Sequence, residues 1–290
     1  MRKFEASDQP GVLYVVATAI GDDDDLSPRA KATLQAVAII AAEDTRDAGR
    51  LLRELGVTTP TTAVHEHNEA ERVPMLIERL LAGESVALIS DAGTPLISDP
   101  GYRVVAAAHE AGIRVSPVPG ACAAIAALSA AGLASDRFHF EGFLSAKAGP
   151  RASRLQALAQ APHSLIFYEA PHRIIDTLTA MTSVFGEQRL ATLARELTKT
   201  FETIKRAPLA ELLAWVEADS NQQRGEMVIV VAGAPVLAVS DQHSISAEAL
   251  LAVLVRELPV KQAASIAAEV LGLRKNALYD LAQQLREKAP

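Results

Sequence analysis

The first 133 residues alternate short apolar segments with helix-like segments, and this alternation restricts the possible folds more than any other feature of the sequence. The apolar segments have the length and content of buried strands, and they lie at 11–17, 36–42, 61–65, 85–90 and 113–118. Helical patterns stand between them, and Ser27-Pro28 supplies an N-cap followed by proline at the first helical position. The pattern predicts an α/β domain over residues 1–133 with a mostly parallel sheet covered on both faces.

The pattern changes after residue 133. Two helical patterns, near 171–185 and 208–218, stand among apolar segments at 138–144, 164–170, 190–196, 201–207 and 227–233. This arrangement predicts a second α/β domain with a mixed sheet over residues 134–236. Residues 235–244 lack periodicity and are predicted to be a linker, and three short helical patterns then predict a small C-terminal helical appendage over 245–290.

Composition excludes several classes of protein. Apolar segments fall short of the roughly 18 to 20 residues that a membrane helix needs, and the N-terminus lacks the apolar core of a signal peptide. We therefore expect a cytoplasmic protein without a membrane partner. The single cysteine, Cys122, excludes an internal disulfide framework and a multi-cysteine zinc site. The net charge of −7 arises entirely within residues 1–135, so any RNA contact would depend on local basic faces.

The segment LISDAGTPLISDPG, residues 88–101, places an aspartate after each of two similar apolar pairs. Asp99 precedes a predicted helix at 102–111 and has the features of an N-cap, with Pro100 at the first helical position. Asp91 directly follows a predicted parallel strand, at the sheet edge where α/β proteins bind ligands. Its carboxylate can accept hydrogen bonds from a ribose or a cation, and Gly93 allows close approach to the backbone. A plain turn is the alternative.

Three further loops follow predicted strands at the same edge, at 17–25, 42–46 and 117–124. The last of them opens a helix, whose N-terminus favours anionic groups. Together the four loops predict a ligand site. The sequence contains no GxGxxG, GKS/T or HExxH motif, which disfavours an ordinary dinucleotide site, a P-loop and a zincin. His65, His67 and Glu69 share one side of a possible strand, but no further ligand set has metal spacing, so no metal is expected.

Nine motifs occur in order along the chain: ATAIGD (17–22), AAEDTR (41–46), HEHNE (65–69), SDAGTPLISDPGYR (90–103), PVPGACAAIAALSAAGL (117–133), EGFL (141–144), FYEAPHR (167–173), ARELTK (194–199) and RGEM (224–227). With them the chain resembles the tetrapyrrole (precorrin/corrin) methylase superfamily over nearly its whole length. Within that superfamily it is similar to the ribosomal branch, the 16S rRNA (cytidine 2′-O)-methyltransferases. One departure is that the family usually reads PTPIGN where this chain has ATAIGD followed by three more aspartates, an acidic run that disfavours a nearby RNA backbone.

This resemblance implies two α/β domains of the tetrapyrrole-methylase type with S-adenosylmethionine (AdoMet) in the cleft between them. It also implies a homodimer and methylation of a ribose 2′-hydroxyl of 16S rRNA in the small ribosomal subunit. Cys122 is then expected to line the cofactor rather than act as a nucleophile, because no base is arranged for it. The residues expected to hold AdoMet are Ile20, Gly21, Asp91, Gly93, Thr94, Cys122, Ala123, Tyr168 and Glu226.

Arg46, Arg50 and Arg53 are spaced four and three residues apart, so they share one face of a predicted helix. Next to an AdoMet site, this face is expected to contact RNA phosphates. A solvated surface balanced by Asp47 and Glu54 is the alternative. A second candidate for the RNA-binding surface lies around Lys147, Arg151 and Arg154.

Methyl transfer to a ribose 2′-hydroxyl needs in-line placement and a base that takes the proton. The candidates are Asp44, Glu196 and Lys199, and a simple Glu196–Lys199 ion pair is the alternative for the last two. Two other functions stay open, namely C-methylation of a tetrapyrrole and a binding protein that has lost catalysis. The HEHNE segment, the arginine face and the C-terminal helices favour the ribosomal substrate.

Overall fold

The computed structural model describes residues 10–235, 246–273 and 275–287. The N-terminal segment 1–9 and residues 236–244 of the predicted linker lie outside the described residues. The chain divides near residue 234 into two compact units. Among the described residues, no helix has the length and apolar character needed to cross a membrane.

The first sheet confirms the predicted parallel arrangement. Its strands lie side by side in the order β3-β2-β4-β1-β5, and every pair is parallel. Ala42 of β2 lies opposite Ile89 of β4 in the register, so these two strands end together. The strands are β1 (Val12–Val16), β2 (Ile39–Ala42), β3 (Thr61–Ala63), β4 (Val86–Ile89) and β5 (Arg114–Val118).

Helices cover both faces of this sheet because side chains alternate between its faces. On one face, Ile40 and Ala42 pack against α1 (Pro28–Ala36) and α2 (Thr45–Glu54). On the other, Ile39 and Ala41 pack against α3 (Glu69–Leu81) and α4 (Tyr102–Glu110). Strand β2 is shorter than predicted because α1 continues to Ala36.

The predicted start of α1 is confirmed in detail. The Ser27 side chain accepts a hydrogen bond from the backbone N–H of Ala30 at 3.0 Å, with Pro28 at the first helical position. This serine therefore satisfies one of the donors that a helix start leaves free.

The second sheet is mixed, as predicted. Its strand order is β6-β7-β10-β8-β9, and of these pairs β6 and β7 run parallel while the other pairs are antiparallel. The strands are β6 (Phe138–Phe143), β7 (Ser164–Glu169), β8 (Leu190–Arg195), β9 (Thr203–Pro208) and β10 (Met227–Val231). One face packs against α6 (Ala148–Leu158), α7 (Ile174–Phe185) and α8 (Leu209–Ala218).

Helix α5 (Ala123–Ala130) covers the other face of this second sheet, with Ala124, Ala127 and Leu128 against Ile166 and Val228. The sequence pattern placed this helix in the predicted domain of residues 1–133. Helix α5 follows β5 of the first sheet and packs against the second, so the loop between β5 and α5 leads from one sheet to the other.

The second unit is a group of three helices, which confirms the predicted C-terminal helical appendage. They are α9 (Ala247–Glu257), α10 (Val260–Leu271) and α11 (Lys275–Glu287). Leu251, Val255 and Leu278 pack against alanines of α10 and α11 in a small core of their own.

Candidate active site

A cavity of about 330 Å³ lies between the carboxyl-end loops of the first sheet and the strands of the second. Its volume falls in the range of small-molecule sites. Seven of the nine residues predicted to hold AdoMet line this cavity, namely Ile20, Gly93, Thr94, Cys122, Ala123, Tyr168 and Glu226. Motifs that are far apart in the sequence therefore converge on one space.

Hydrogen bonds between loops shape the first-sheet side of the cavity. Gly93, at φ +77°, accepts a hydrogen bond from the backbone N–H of Thr18 at 2.9 Å. The Thr94 hydroxyl donates to the carbonyl of Ala121 at 2.8 Å. Ser98 also lines the cavity and has a φ of +73°, a conformation that is strained for a residue with a side chain. This wall is preorganised, and the strain lies at the candidate site.

Tyr168 forms much of the second-sheet side. Its hydroxyl accepts a hydrogen bond from the backbone N–H of Ala124 at 3.1 Å, at the start of α5. Its ring meets those of Phe140 and Phe143 edge to face, with centroids 5.0 and 5.6 Å away. Burial, together with the neighbouring Cys122, raises the pKa of Tyr168 well above its ordinary value. It therefore stays a neutral phenol that holds α5 against the cavity.

Gly21 and Asp91, the other two predicted cofactor residues, do not line the cavity. A Cβ atom at Gly21 would lie 2.5 Å from Cγ of Lys199 and 2.8 Å from the carbonyl oxygen of Leu197. This glycine is required where the loop after β1 meets the loop after β8. Asp91 is exposed, and its Oδ1 accepts a hydrogen bond from the backbone N–H of Asp44 at 3.1 Å. It thereby joins the loops that follow β2 and β4.

Glu196, Lys199 and Glu226 form one charged cluster beside the cavity. The Nζ of Lys199 lies 3.1 Å from Oε1 of Glu196 and 3.1 Å from Oε2 of Glu226. The ion pair that stood as the alternative to catalysis is present. A Cβ atom at Gly225 would lie 2.3 Å from Cδ of Glu196, so the glycine of RGEM makes room for this carboxylate.

Glu196 and Lys199 of this cluster stay charged near neutral pH. Burial alone would raise the pKa of Glu196, but the hydrogen bond from the Glu226 backbone and the ammonium group of Lys199 outweigh it, so the pKa is lowered. Burial alone would lower the pKa of Lys199, but Glu226 and Glu196 outweigh it, so the pKa is raised. Neither group is poised to exchange a proton near neutral pH.

Asp44, the third predicted catalytic residue, lies on the first-sheet side. It caps α2 by accepting a hydrogen bond from the Arg46 backbone N–H at 2.8 Å, and its Oδ2 lies 2.6 Å from Nη2 of Arg46. The hydrogen bonds from Arg46 lower the pKa of Asp44 to about 2. Within residues 10–235, no hydrogen bond or ion pair joins Asp44 to Glu196 or Lys199.

The three predicted RNA-contacting arginines lie on α2, and all are exposed. Arg46 is held by Asp44, and Nε of Arg53 donates to the carbonyl of Gly49 at 3.0 Å. The spacing argument for a shared helix is therefore correct, and the face is open to solvent in this unit.

Two sequence-based assignments are wrong. Asp99 is not the N-cap of α4, because α4 begins at Tyr102 with Gly101 as its N-cap at φ +121°. Asp99 instead lines the cavity. His65 and His67 do not lie on a strand, because β3 ends at Ala63.

The role predicted for Asp99, accepting a hydrogen bond from the start of α4, belongs to Glu69. Its buried carboxylate accepts a hydrogen bond from the backbone N–H of Arg103 at 2.7 Å. The glutamate of HEHNE therefore serves a helix start 34 residues further along the chain.

Sequence reasoning also missed Glu43, the first acidic residue of AAEDTR. It follows β2 directly and is half-buried. Burial and the charges of Asp91 and Asp99 raise its pKa to about 7. Burial also raises the pKa of Asp99. The signal in the sequence was a glutamate at the carboxyl end of a buried parallel strand, next to the more conspicuous Asp44.

Glu169 is a further carboxylate of the cavity wall. Its side chain is fully buried, and it accepts hydrogen bonds from the Thr177 hydroxyl at 2.5 Å and the Ala170 backbone at 2.8 Å. Arg173 lies 2.9 Å from its Oε1 and also donates to the carbonyl of Leu144. These contacts anchor the wall that contains Phe143.

Comparison with known proteins identifies the class of protein to which this fold and this site belong. The family "Tetrapyrrole (Corrin/Porphyrin) Methylases" matches residues 12–213, and the chain belongs to this family. A second family, "RsmI C-terminal HTH domain", matches residues 241–286.

Individual relatives are similar over nearly the whole chain. "Ribosomal RNA small subunit methyltransferase I" of Pseudomonas aeruginosa is 60% identical over 281 residues, which cover 96% of this chain and 99% of the relative. The protein of the same name from Escherichia coli O157:H7 is 51% identical over 285 residues, which cover 97% and 98%. The solved structure of uroporphyrin-III C-methyltransferase from Thermus thermophilus, complexed with S-adenosylhomocysteine, has a TM-score of 0.55 at 18% identity and covers 77% of this chain and 97% of its own. That likeness shows a shared fold.

Proposed function

We propose that this protein transfers a methyl group from AdoMet to the ribose 2′-hydroxyl of a cytidine in the 16S rRNA of the small ribosomal subunit. The observation that carries the proposal is the 60% identity to a ribosomal RNA small subunit methyltransferase, which extends over 96% of this chain. The match to the RsmI C-terminal domain supports the same substrate. The solved tetrapyrrole methyltransferase structure, in contrast, covers 77% of this chain.

The cavity between the sheets is the proposed AdoMet site. Its wall combines apolar side chains with the carboxyl groups of Asp99 and Glu226, and carboxylates suit a ligand that carries a sulfonium charge. The positive φ of Gly93 and the lack of a side chain there allow a ligand to approach the backbone. When bound, AdoMet supplies an electrophilic methyl group.

The protein's own residues would bind and orient the two reactants. Gly93 and Thr94 form one wall of the cavity and Tyr168 the other, and AdoMet would lie between them. The exposed arginines of α2 would hold RNA phosphates, which positions the ribose for in-line attack. Arg46 is already charge-paired with Asp44, so Arg50 is the arginine of this face best placed to gain a phosphate contact.

The resemblance implies a homodimer, and the sequence itself predicts a cytoplasmic protein without a metal. We infer that the enzyme is a homodimer in the cytoplasm that needs no metal. Asp44, Glu196 and Lys199 keep roles in the charge distribution of the site, although their ion pairs make them weak candidates for accepting a proton near neutral pH.

Labelled AdoMet tests the function directly. The protein is incubated in EDTA with labelled AdoMet and either small ribosomal subunits or a uroporphyrin-III-type tetrapyrrole, with a parallel calorimetric titration of AdoMet, NAD and ATP. We expect stoichiometric AdoMet binding and label at a cytidine 2′-O of 16S rRNA. Label in the tetrapyrrole alone would support the alternative substrate, and AdoMet binding without transfer would support a binding protein that has lost catalysis.

A matched pair of aspartate variants tests the location of the AdoMet site. Asp99 lines the cavity, whereas Asp91 is exposed and lies off its wall. We expect Asp99→Asn to weaken AdoMet binding by about 10- to 100-fold, the range for losing a charge-assisted contact, and Asp91→Asn to weaken it less than about threefold. Calorimetry measures both, and the reverse order would move the sulfonium towards Asp91.

A further inference from the structure

The end of β2 presents two neighbouring carboxyl groups in opposite directions. Ile39 and Ala41 face α3 and α4, whereas Ile40 and Ala42 face α1 and α2. Continuing this alternation by one residue directs Glu43 towards α4 and Asp44 towards α2. Asp44 indeed caps α2 and pairs with Arg46, which leaves Glu43 on the side of the segment that precedes α4.

That segment belongs to the cavity wall. The register places Ala42 opposite Ile89, so Glu43 comes next to the start of the loop after β4. This loop contains Asp91 and Asp99, and the charges of both raise the pKa of Glu43. Asp99 lines the cavity itself. Glu43 therefore lies next to the cavity wall at the carboxyl edge of the first sheet.

In the described part of the chain, Glu43, like Asp91 and Asp99 in the neighbouring loop, lacks the ion pair that three other carboxylates at the site have. Within residues 10–235 it forms no ion pair with an arginine, lysine or histidine, whereas Asp44, Glu169 and Glu196 each have one. The charged groups that act on it are Asp91 and Asp99 from the loop after β4 and Asp44 from its own segment. All three are acidic.

We propose that Glu43 is the catalytic base, the group that accepts the proton from the ribose 2′-hydroxyl, and that the Asp44–Asp91 hydrogen bond between the two loops holds it in place. This inference rests on the proposed function. In the step, the ribose O2′ forms a bond to the methyl carbon while the bond between that carbon and sulfur breaks. The O2′ proton moves to a carboxylate oxygen of Glu43, and S-adenosylhomocysteine leaves.

The acid–base chemistry of Glu43 suits this role. Burial and the neighbouring carboxylates raise its pKa to about 7. A base is most effective when its pKa lies near the working pH, because it is then both ionised and basic. Its partial exposure lets the accepted proton pass to solvent before the next turnover.

Single-turnover methylation of small ribosomal subunits between pH 5.5 and 9 tests the proposal with Glu43→Gln, Glu43→Asp and Glu110→Gln. Glu110 lies exposed at the end of α4, outside the cavity wall and the arginine face of α2, and provides the matched control. For the wild type we expect the rate to rise about tenfold per pH unit below about pH 7 and then to level off. Glu43→Gln should lose about 10²- to 10⁴-fold in rate and lose this limb, with AdoMet affinity within about threefold of wild type by calorimetry.

The other variants make the outcome decisive. Glu43→Asp should keep the pH-dependent limb at a rate at least about tenfold below wild type, because its shorter side chain misplaces the carboxylate. Glu110→Gln should match the wild type. A Glu43→Gln protein with the wild-type rate and pH profile would overturn the proposal, and so would an equal loss of AdoMet affinity.

Two further results separate the possible failures. If Glu43→Gln does not fold, a wild-type rate and profile in Glu43→Asp overturns the proposal. If the wild type transfers no label to RNA, the proposed function itself fails.

Discussion

The carboxyl groups at this site have different pKa values because each has different neighbours. Arg46 lowers the pKa of Asp44 to about 2, whereas burial and acidic neighbours raise that of Glu43, the adjacent residue, to about 7. Beside the cavity, after β8 of the second sheet, Lys199 helps to keep Glu196 ionised. A single peptide bond thus separates a permanent anion from a group that titrates near neutrality.

The raised pKa of Glu43 has a consequence for stability that can be measured without substrate. The folded protein holds this proton more tightly than the unfolded chain, whose pKa is near 4.5. The contribution of Glu43 to the free energy of unfolding is therefore present below about pH 4.5 and is lost as pH rises through about 7. Glutamine carries no such proton, so Glu43→Gln and wild type should have similar melting temperatures at pH 5.

At pH 8.5 the Glu43→Gln protein should melt about 2–4 °C above wild type, the shift that roughly 1 kcal/mol produces once the partial exposure of Glu43 is allowed for. Calorimetric melting at the two pH values measures the difference, with Glu110→Gln as the control that shows no pH-dependent gain. A lower melting temperature for Glu43→Gln at pH 8.5 would contradict the desolvated position of this carboxyl group.

At the scale of the elements, α2 connects the first sheet to the proposed RNA surface. Asp44 caps its start beside the loop of Asp91, and its arginines point to solvent. Arg50→Glu should lower RNA methylation and leave AdoMet affinity nearly unchanged, because the cavity wall does not include α2. Loss of one phosphate contact should also flatten the dependence of log binding constant on log salt by about one unit.

The control is Arg114→Glu, the same charge change on an exposed arginine at the amino end of β5, away from the ligand edge of the sheet. It should leave the salt slope at its wild-type value. If Arg50→Glu also leaves affinity and slope intact, α2 is a solvated or dimer-facing surface. The RNA-binding surface would then lie around the exposed Lys147 and Arg154, whereas Arg151, the third residue of that predicted group, is buried and cannot contribute.

At the scale of the whole molecule, we expect AdoMet binding and RNA recognition to depend on different parts of the chain. Every residue of the cavity wall lies before residue 235, and the C-terminal helices have a core of their own. A chain that ends at residue 240 should therefore bind AdoMet within about twofold of the full-length protein. Its methylation of small ribosomal subunits should fall at least about tenfold, because helix-turn-helix units commonly bind nucleic acid.

Calorimetry and the labelling assay measure these two effects on the same preparation. Unchanged methylation by the shortened chain would exclude a role of the C-terminal helices in substrate binding. A loss of AdoMet affinity would show that the cavity depends on residues after 240.

The amino-acid sequence by itself determined the first sheet and most of the cavity wall. Parallel strands buried on both faces must be apolar along their length, so their segments are recognisable without any contact information. The loops that follow such strands meet at one edge, which placed Ile20, Gly93 and Thr94 together, and the family resemblance added Tyr168 and Glu226. Helix α6 escaped prediction because Gly149 and Pro150 in its first turn resemble a loop.

Other features depended on contacts between distant parts of the chain, which local patterns do not contain. Asp99 has every local feature of an N-cap, yet Glu69 serves α4 and leaves Asp99 to the cavity. Likewise, nothing in AAEDTR distinguishes the titration of Glu43 from that of Asp44. Only the tertiary structure decides it, by burying Glu43 near Asp91 and Asp99 while Arg46 holds Asp44, because a pKa depends on the charges and solvent around a group rather than on its neighbours in sequence.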